Sequence, residues 1–89
     1  MNEIRISPDE TIRAGQSITE VSNTYMQEIE KVYSYMDELS GSWAGEKASE
    51  FIGKVNADRG EFEQFGKDLK AFGEKIEEIG KDYQRLETM

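Results

Sequence analysis

The stretch Ser40-Gly41-Ser42-Trp43-Ala44-Gly45 decides the fold, because it is the one strong break in a chain that otherwise has a helical pattern. Gly41 is placed just after a helix end, where a left-handed backbone is favoured and glycine adopts it without steric cost. Ser42 suits the N-cap of the next helix, since its hydroxyl can accept a hydrogen bond from a free backbone N–H one turn in. The stretch therefore predicts a turn between two helices.

The predicted architecture is all-α, an antiparallel two-helix hairpin. We expect a first helix over about 8–39, a turn at about 40–42 and a second helix over about 43–87. The 89 residues allow one domain at most. Trp43, the only tryptophan, lies at the hairpin end, where the simplest interpretation is an aromatic plug.

The composition excludes several classes of function. A net charge of -8 argues against nucleic acid and anionic membranes as partners. The chain has no cysteine and no histidine, so it lacks thiol nucleophiles, thiolate zinc ligands and the commonest general base. We therefore expect no enzymatic activity, no cofactor, no metal site and no small-molecule substrate. The first residues also lack the long apolar run of a secretory signal peptide.

The first helix has a clear start and a long apolar stripe. Ser7 can cap it, Pro8 suits its first position and Glu10 completes a capping box. Apolar residues then recur at steps of three and four, which predicts one face of a helix. This stripe consists of Ile18, Val21, Tyr25, Ile29, Val32, Met36 and Leu39. Met26 and Tyr33 lie off the stripe, and we interpret them as a second contact face rather than as isolated surface residues.

The second helix carries a heptad repeat, which favours a helix over a strand and indicates gentle left-handed supercoiling. One heptad position holds Ala48, Val55, Phe62, Leu69, Ile76 and Tyr83. The position three residues later holds Phe51, Asp58, Phe65, Phe72, Ile79 and Leu86. Asp58 is the exception to the apolar pattern, and it is either a specificity device or the site of a local bend beside Gly60.

Three glycines of the second helix, Gly66, Gly73 and Gly80, are spaced by seven residues and line one flank of the heptad stripe. Each costs on the order of 1 kcal/mol of helix stability relative to alanine. Two explanations stay open: close approach of a neighbouring helix, or tolerance of glycine in a mobile helix end.

A single hairpin buries only one stripe on each helix, which is too little core for a small chain without disulfides. Two hairpins that form a four-helix bundle bury more, so we expect a homodimer. We also expect the second helix to extend beyond the first after about Ile76, where Ile4 and Ile6 or a partner chain could cover it. The predicted core of the hairpin or dimer consists of Ile18, Val21, Tyr25, Ile29, Val32, Phe51, Phe62, Phe65, Leu69, Phe72, Ile76 and Ile79.

Three short motifs carry a resemblance to a known family. Ser42-Trp43-Ala44-Gly45 stands at the hairpin turn, and Ile4-Arg5-Ile6-Ser7-Pro8-Asp9-Glu10 opens the chain. Near the end, Tyr83-Gln84-Arg85-Leu86-Glu87 places an acid four residues after a tyrosine. Together these motifs resemble the WXG-motif proteins, the early-secreted-antigen-like substrates of type VII (ESX) secretion. In that family the last motif is the export pattern.

The resemblance implies a small helical hairpin that is exported without a cleaved signal peptide, usually folded and as a dimer. It implies that Trp43, Gly45, Tyr83 and Glu87 are recognised during export, with the type VII secretion ATPase as a partner. The other partner is a second copy of the chain or a WXG-type relative. After export, members act as secreted effectors or as partners of the secretion system. An alternative is a cytosolic helical adaptor or chaperone that pairs with the targeting domain of a larger secreted toxin.

The recognition residues also have purely structural interpretations. Tyr83 falls on a heptad position and can be a packing residue, and Glu87 can be one of many surface acids. Gly45 can be a small residue where the two helices pass closely. At about 1.5 Å of rise per residue, Trp43 and Tyr83 are expected roughly 60 Å apart within one chain.

Overall fold

The chain forms an antiparallel helical hairpin. The computed structural model describes residues 7–88 as three α-helices, α1 over Pro8–Ser42, α2 over Glu46–Ala57 and α3 over Arg59–Thr88. They form a rod of 66 × 24 × 17 Å in which α1 packs mainly along α3. The all-α hairpin predicted from the apolar spacing is confirmed. Ile4 and Ile6 lie outside the described residues.

The start of α1 follows from its first residues. Ser7 has an extended backbone, and its Oγ accepts a hydrogen bond from the backbone N–H of Glu10 at 3.4 Å. Pro8 occupies the first turn, where its missing N–H has no partner to lose. Asp9 and Glu10 lie in the same turn and complement the positive end of the helix dipole. The predicted cap at Ser7 is confirmed.

The turn lies later than the sequence pattern predicted. The first helix continues through Gly41 to Ser42, and the Ser42 hydroxyl donates to the carbonyl oxygen of Leu39 at 3.3 Å instead of capping a new helix. Gly41 is therefore helical, and the left-handed role expected of it was wrong. Within residues 7–88 the only positive φ belongs to Gly45, at 120°. The connection is 43–45 rather than 40–42, and α2 begins at Glu46 rather than at Trp43.

The predicted second helix is interrupted at Asp58. This residue has φ -82° and ψ -8°, so its ψ departs from the helical value near -42°. Its N–H donates to the carbonyl oxygen of Lys54 at 3.2 Å, and its own carbonyl oxygen accepts from Glu61 and Phe62 at 3.1 and 3.2 Å. Backbone hydrogen bonds of the helical type therefore continue from α2 into α3, with Asp58 as the one irregular residue between them. Of the two alternatives for Asp58, the local bend is the one observed.

Glycines form the contact between α1 and α3. Gly66, Gly73 and Gly80 are the buried residues of α3. A Cβ atom added to Gly80 would lie 2.9 Å from the backbone nitrogen of Ile12. A Cβ atom added to Gly73 would meet α1 similarly closely, at 2.8 Å from the carbonyl oxygen of Gly15. Close approach of the α1 backbone therefore explains Gly73 and Gly80, whereas Gly66 leaves room for side chains of α1.

Tyr33 and Met26 pack inside the hairpin, so their interpretation as a second contact face was wrong. Tyr33 is only 2% exposed. Met26 lies against Gly66, where its Sδ occupies the space that a Cβ would need. Ser22, also buried, donates its hydroxyl to the carbonyl oxygen of Gly66 at 2.8 Å. Small and hydrogen-bonding residues therefore form the hairpin interface, and the large apolar stripe lies beside it.

The free end of α3 is shorter than expected. Pro8 and Ile12 of α1 reach Gly80, so α3 is paired beyond Ile76. Residues 81–88 are all exposed. Among the described residues no helix is both long enough and apolar enough to cross a membrane.

Candidate recognition surface

Trp43 caps the C-terminal end of α1, and its side chain is about half exposed. Its backbone N–H donates to the carbonyl oxygen of Leu39 at 2.8 Å, which satisfies one of the free carbonyls at the helix end. The indole is 46% exposed and packs edge-on against Phe51 of α2, with ring centroids 6.0 Å apart. Trp43 is therefore not a buried plug. It presents half of a large aromatic surface to solvent at the tip of the hairpin.

Gly45 is required by its backbone conformation. Its φ of 120° and ψ of 160° lie in a region that residues with a Cβ rarely adopt. No atom lies within 4 Å of a Cβ built on Gly45, so close helix packing does not explain the glycine. This backbone reverses the chain between Trp43 and the first residue of α2. The Trp-x-Gly motif therefore has a local physical basis in the turn.

Tyr83 and Glu87 lie on one face of α3, about one helical turn apart. Tyr83 is 41% exposed, and Glu87 is also exposed. Between them, Arg85 forms an ion pair with Asp82. The phenol and the carboxylate are both accessible to a partner on the unpaired end of α3.

The turn and the tyrosine motif lie at opposite ends of the hairpin. Gly80 packs against Ile12 near the start of α1, whereas Trp43 follows the last residue of α1. The molecule is 66 Å long. One chain therefore keeps Trp43 and Gly45 far from Tyr83 and Glu87.

An exposed apolar face runs along one side of the hairpin. We define this apolar face as Ile18, Val21, Tyr25 and Val32 of α1 together with Phe62, Phe65, Leu69, Phe72 and Ile76 of α3. Tyr25 joins its two halves, because its ring meets that of Phe65 edge-on at 5.3 Å between centroids. The Tyr25 hydroxyl also donates to the carbonyl oxygen of Phe62 at 2.9 Å. A shallow groove between the helices is lined by Tyr25, Glu61, Phe62 and Phe65.

None of the twelve residues predicted as hairpin or dimer core is fully buried within one chain. Half-buried side chains are those of Ile18, Tyr25, Ile29, Leu69, Ile76 and Ile79. Exposed side chains are those of Val21, Val32, Phe51, Phe62, Phe65 and Phe72. Phe65, for example, is 56% exposed. One chain alone therefore does not bury these residues, and their place in a dimer core stays a prediction.

The apolar pattern did not predict the central role of Tyr33. Its hydroxyl donates to the carbonyl oxygen of Val55 in α2 at 2.7 Å, and the guanidinium carbon of Arg59 lies 4.9 Å from its ring centroid. Burial and the nearby Asp58 carboxylate raise the pKa of the Tyr33 phenol above its ordinary value. One available signal was the seven-residue spacing of Tyr33 and Met26 on the same helix face as Ser22.

Comparisons with known proteins identify the family. A family model described as proteins of 100 residues with WXG matches residues 3–88. No curated protein sequence matches the chain.

Solved structures of EsxB, a secreted protein of Bacillus anthracis strain Sterne, have a similar fold. The selenomethionine-labelled crystal structure superposes with a TM-score of 0.80 at 21% identity, covering 98% of this chain and 99% of that chain. A single-substitution variant gives a TM-score of 0.79 at 21% identity, with coverages of 98% and 97%. Another variant gives 0.80 at 21% identity, with 96% of each chain covered. The match of the family model, on a hairpin whose turn carries Trp43 and Gly45, shows that this chain belongs to the family of proteins of 100 residues with WXG.

Proposed function

We propose that this protein is a non-enzymatic substrate of type VII secretion that is exported folded, as a homodimer. Membership of the WXG family and the EsxB-like fold support a small type VII secretion substrate. The observation that carries the proposal is the turn, where Gly45 adopts a conformation suited to glycine and Trp43 stays half exposed. The protein acts by being recognised and carried, and it serves afterwards as a secreted effector or as a partner of the secretion system.

The apolar face supports the dimer. Its aromatic residues expose more apolar surface than one hairpin can cover, and Phe65 and Phe72 are both more than half exposed. Burial of such area is favourable by about 25 cal/mol per Å². A second copy that places its own apolar face against this one forms a four-helix bundle. A WXG-type relative with a matching face is the other possible partner.

An antiparallel dimer would complete the recognition surface. Because the turn and the tyrosine motif lie at opposite ends of a 66 Å rod, an antiparallel partner brings its own α3 end beside the turn. Trp43 and Gly45 of one chain then lie near Tyr83 and Glu87 of the other. A twofold axis produces two such composite sites.

We propose that the secretion ATPase recognises this composite surface. Tyr83 supplies an aromatic anchor with a hydrogen-bonding hydroxyl, a residue type that is common among the energetically important residues of interfaces. Glu87 supplies a charge one helical turn away on the same face. Both side chains are accessible in the hairpin.

Export separates this proposal from the adaptor alternative. The tagged protein is produced in a host that carries its type VII system, and medium and cells are compared with and without the secretion ATPase. We expect intact protein in the medium only when the ATPase is present. Retention in the cytosol in both strains, together with co-purification of a larger toxin, would support the adaptor instead.

A further inference from the structure

Helix α2 differs from its neighbours because none of its residues is buried. By contrast, α1 and α3 each contain buried residues along their shared interface. The helix is bounded by an irregular connection at each end, the turn at 43–45 and the interruption at Asp58. It therefore lacks the burial that holds the rest of the hairpin together.

One buried side chain links α2 to the rest of the hairpin. The Tyr33 hydroxyl of α1 donates to the carbonyl oxygen of Val55 at 2.7 Å. The Tyr33 ring is only 2% exposed, and the guanidinium of Arg59, the first residue of α3, stacks over it. Arg59 is in turn held by Glu63, with 3.0 Å between its Nε and the Glu63 Oε1. The ring is thus fixed by α1 and α3, and its hydroxyl reaches α2.

The residues around Asp58 weaken helical continuity. Gly53 and Gly60 lie on either side of the interruption, and a Cβ on either would have no atom within 4 Å. Packing within the chain therefore does not require glycine at these positions. Glycine lowers the stability of a helix interior by about 1 kcal/mol relative to alanine. These residues reduce the cost of separating α2 from α3 at this point.

We propose that α2 separates from the rest of the hairpin by a hinge motion about Asp58, while α1 and α3 remain paired. The hydrogen bond from the Tyr33 hydroxyl to Val55 holds α2 in place. Opening carries Phe51 away from Trp43, whose rings now meet edge-on at 6.0 Å. Tyr33 thereby positions the turn indirectly, through its hydrogen bond to α2. The opening does not depend on whether the protein is exported.

Hydrogen exchange resolved by segment tests the hinge. In the unaltered protein, amides of 46–57 should exchange faster than those in the middle of α1 and α3. A 12-residue helix that has separated from the hairpin is only marginally stable, so its own hydrogen bonds break and expose its amides without global unfolding. Tyr33→Phe keeps the ring and its contact with Arg59 but removes the donor to Val55. The loss of one hydrogen bond should accelerate exchange in α2 by about two- to tenfold and leave α1 and α3 unchanged.

Tyr25→Phe is the matched control. The Tyr25 hydroxyl also donates to a backbone carbonyl of another helix, that of Phe62 in α3. It should leave exchange in α2 unchanged. Acrylamide quenching of Trp43 fluorescence gives an independent signal, and it should increase in Tyr33→Phe alone. The proposal is overturned if α2 in the unaltered protein exchanges as slowly as α3. It is also overturned if Tyr33→Phe accelerates all three helices equally or none of them.

Discussion

A Cβ atom on Gly73 would lie 2.8 Å from the carbonyl oxygen of Gly15, so these two residues bring the backbones of α1 and α3 into direct contact. Real Cβ atoms almost never approach an oxygen so closely. The same Cβ would lie 2.7 Å from Thr19 Oγ1 and 2.9 Å from its backbone nitrogen. The neighbouring atoms are largely backbone and cannot move aside by rotating a side chain.

Gly73→Ala should destabilise the protein by about 1–3 kcal/mol, the usual range for overpacking a tight contact. This cost should exceed the gain of up to about 1 kcal/mol in helix propensity. Gly53→Ala is the matched control, since a Cβ there meets nothing within 4 Å. It should leave stability unchanged or raise it. Urea unfolding at one fixed protein concentration measures both, and equal effects of the two variants would contradict this assignment of the interface.

The apolar periodicity predicted the helices but not the face by which they meet. A heptad stripe containing Phe62, Phe65 and Phe72 resembles a hairpin core, because large apolar residues usually hold packed helices 8–10 Å apart. Here the glycines allow a closer approach, and the phenylalanines are left beside the contact. Periodicity identifies a stripe but does not say whether a chain or its partner covers it.

Gly45→Ala should cost about 1–3 kcal/mol of stability, because its φ of 120° strains any residue with a Cβ. Gly41→Ala is the control. Gly41 is helical with open space around it, so alanine should be neutral or stabilising. Thermal unfolding of the two variants checks this. If Gly41→Ala lowered stability more than Gly45→Ala, the turn would lie at 40–42, where the sequence pattern predicted it.

The turn shows how local signals can mislead. Gly41 is typical of the residue after a helix end, and Ser42 is typical of the N-cap of the next helix. Gly45 is equally typical of the residue after a helix end. Sequence alone does not rank two glycines only four residues apart. The structure selects Gly45 because α1 continues to Ser42 and the Trp43 N–H closes its last turn on Leu39.

Phe65→Ala should weaken the dimer more than it destabilises the hairpin. The ring is 56% exposed within one chain, so its burial depends on a partner. Loss of such an aromatic from an interface should raise the dimer Kd on the order of tenfold or more. Sedimentation across a concentration series measures this Kd.

Lys67→Ala serves as the control for the interface. Successive helical residues are 100° apart, so Phe65 and Lys67 lie on opposite flanks of the buried Gly66. The lysine variant should dimerise normally. If the protein is monomeric at all concentrations, or if both variants lose the dimer equally, the apolar face is not the dimer interface.

Tyr33 should make the free energy of unfolding depend on pH in the alkaline range. Burial raises the pKa of its phenol, and so do the charges of Asp58 and Glu63 and the neighbouring Tyr25, while Arg59 lowers it. The folded state therefore keeps the proton at a pH where the unfolded chain releases it. This contribution is fully present below about pH 10 and is lost as pH rises through the folded pKa. Unfolding free energy should thus fall more steeply above about pH 10 in the unaltered protein than in Tyr33→Phe. Parallel pH profiles would contradict the shift.

The four candidate recognition residues could be named from short motifs, whereas the hydrogen bond from Tyr33 to α2 could not. Trp43, Gly45, Tyr83 and Glu87 are recognisable from their spacing and place in the chain. The spacing of Tyr33 and Met26 marks a helix face, but the hydrogen bond from Tyr33 to Val55, 22 residues later, could not be predicted from it. Contacts of that kind depend on the register of two helices, which periodicity does not define.

Export of Glu87→Ala, measured together with its dimer Kd, tests the central claim most directly. Glu87 is exposed at the end of α3, so its loss should leave helicity and dimerisation close to normal. Tyr83→Ala is the companion variant, and it separates recognition from packing at a heptad position. If these residues are read during export, both variants should accumulate in the cells and disappear from the medium while still forming dimers. Normal export of Glu87→Ala, with a weakened dimer for Tyr83→Ala, would contradict the account.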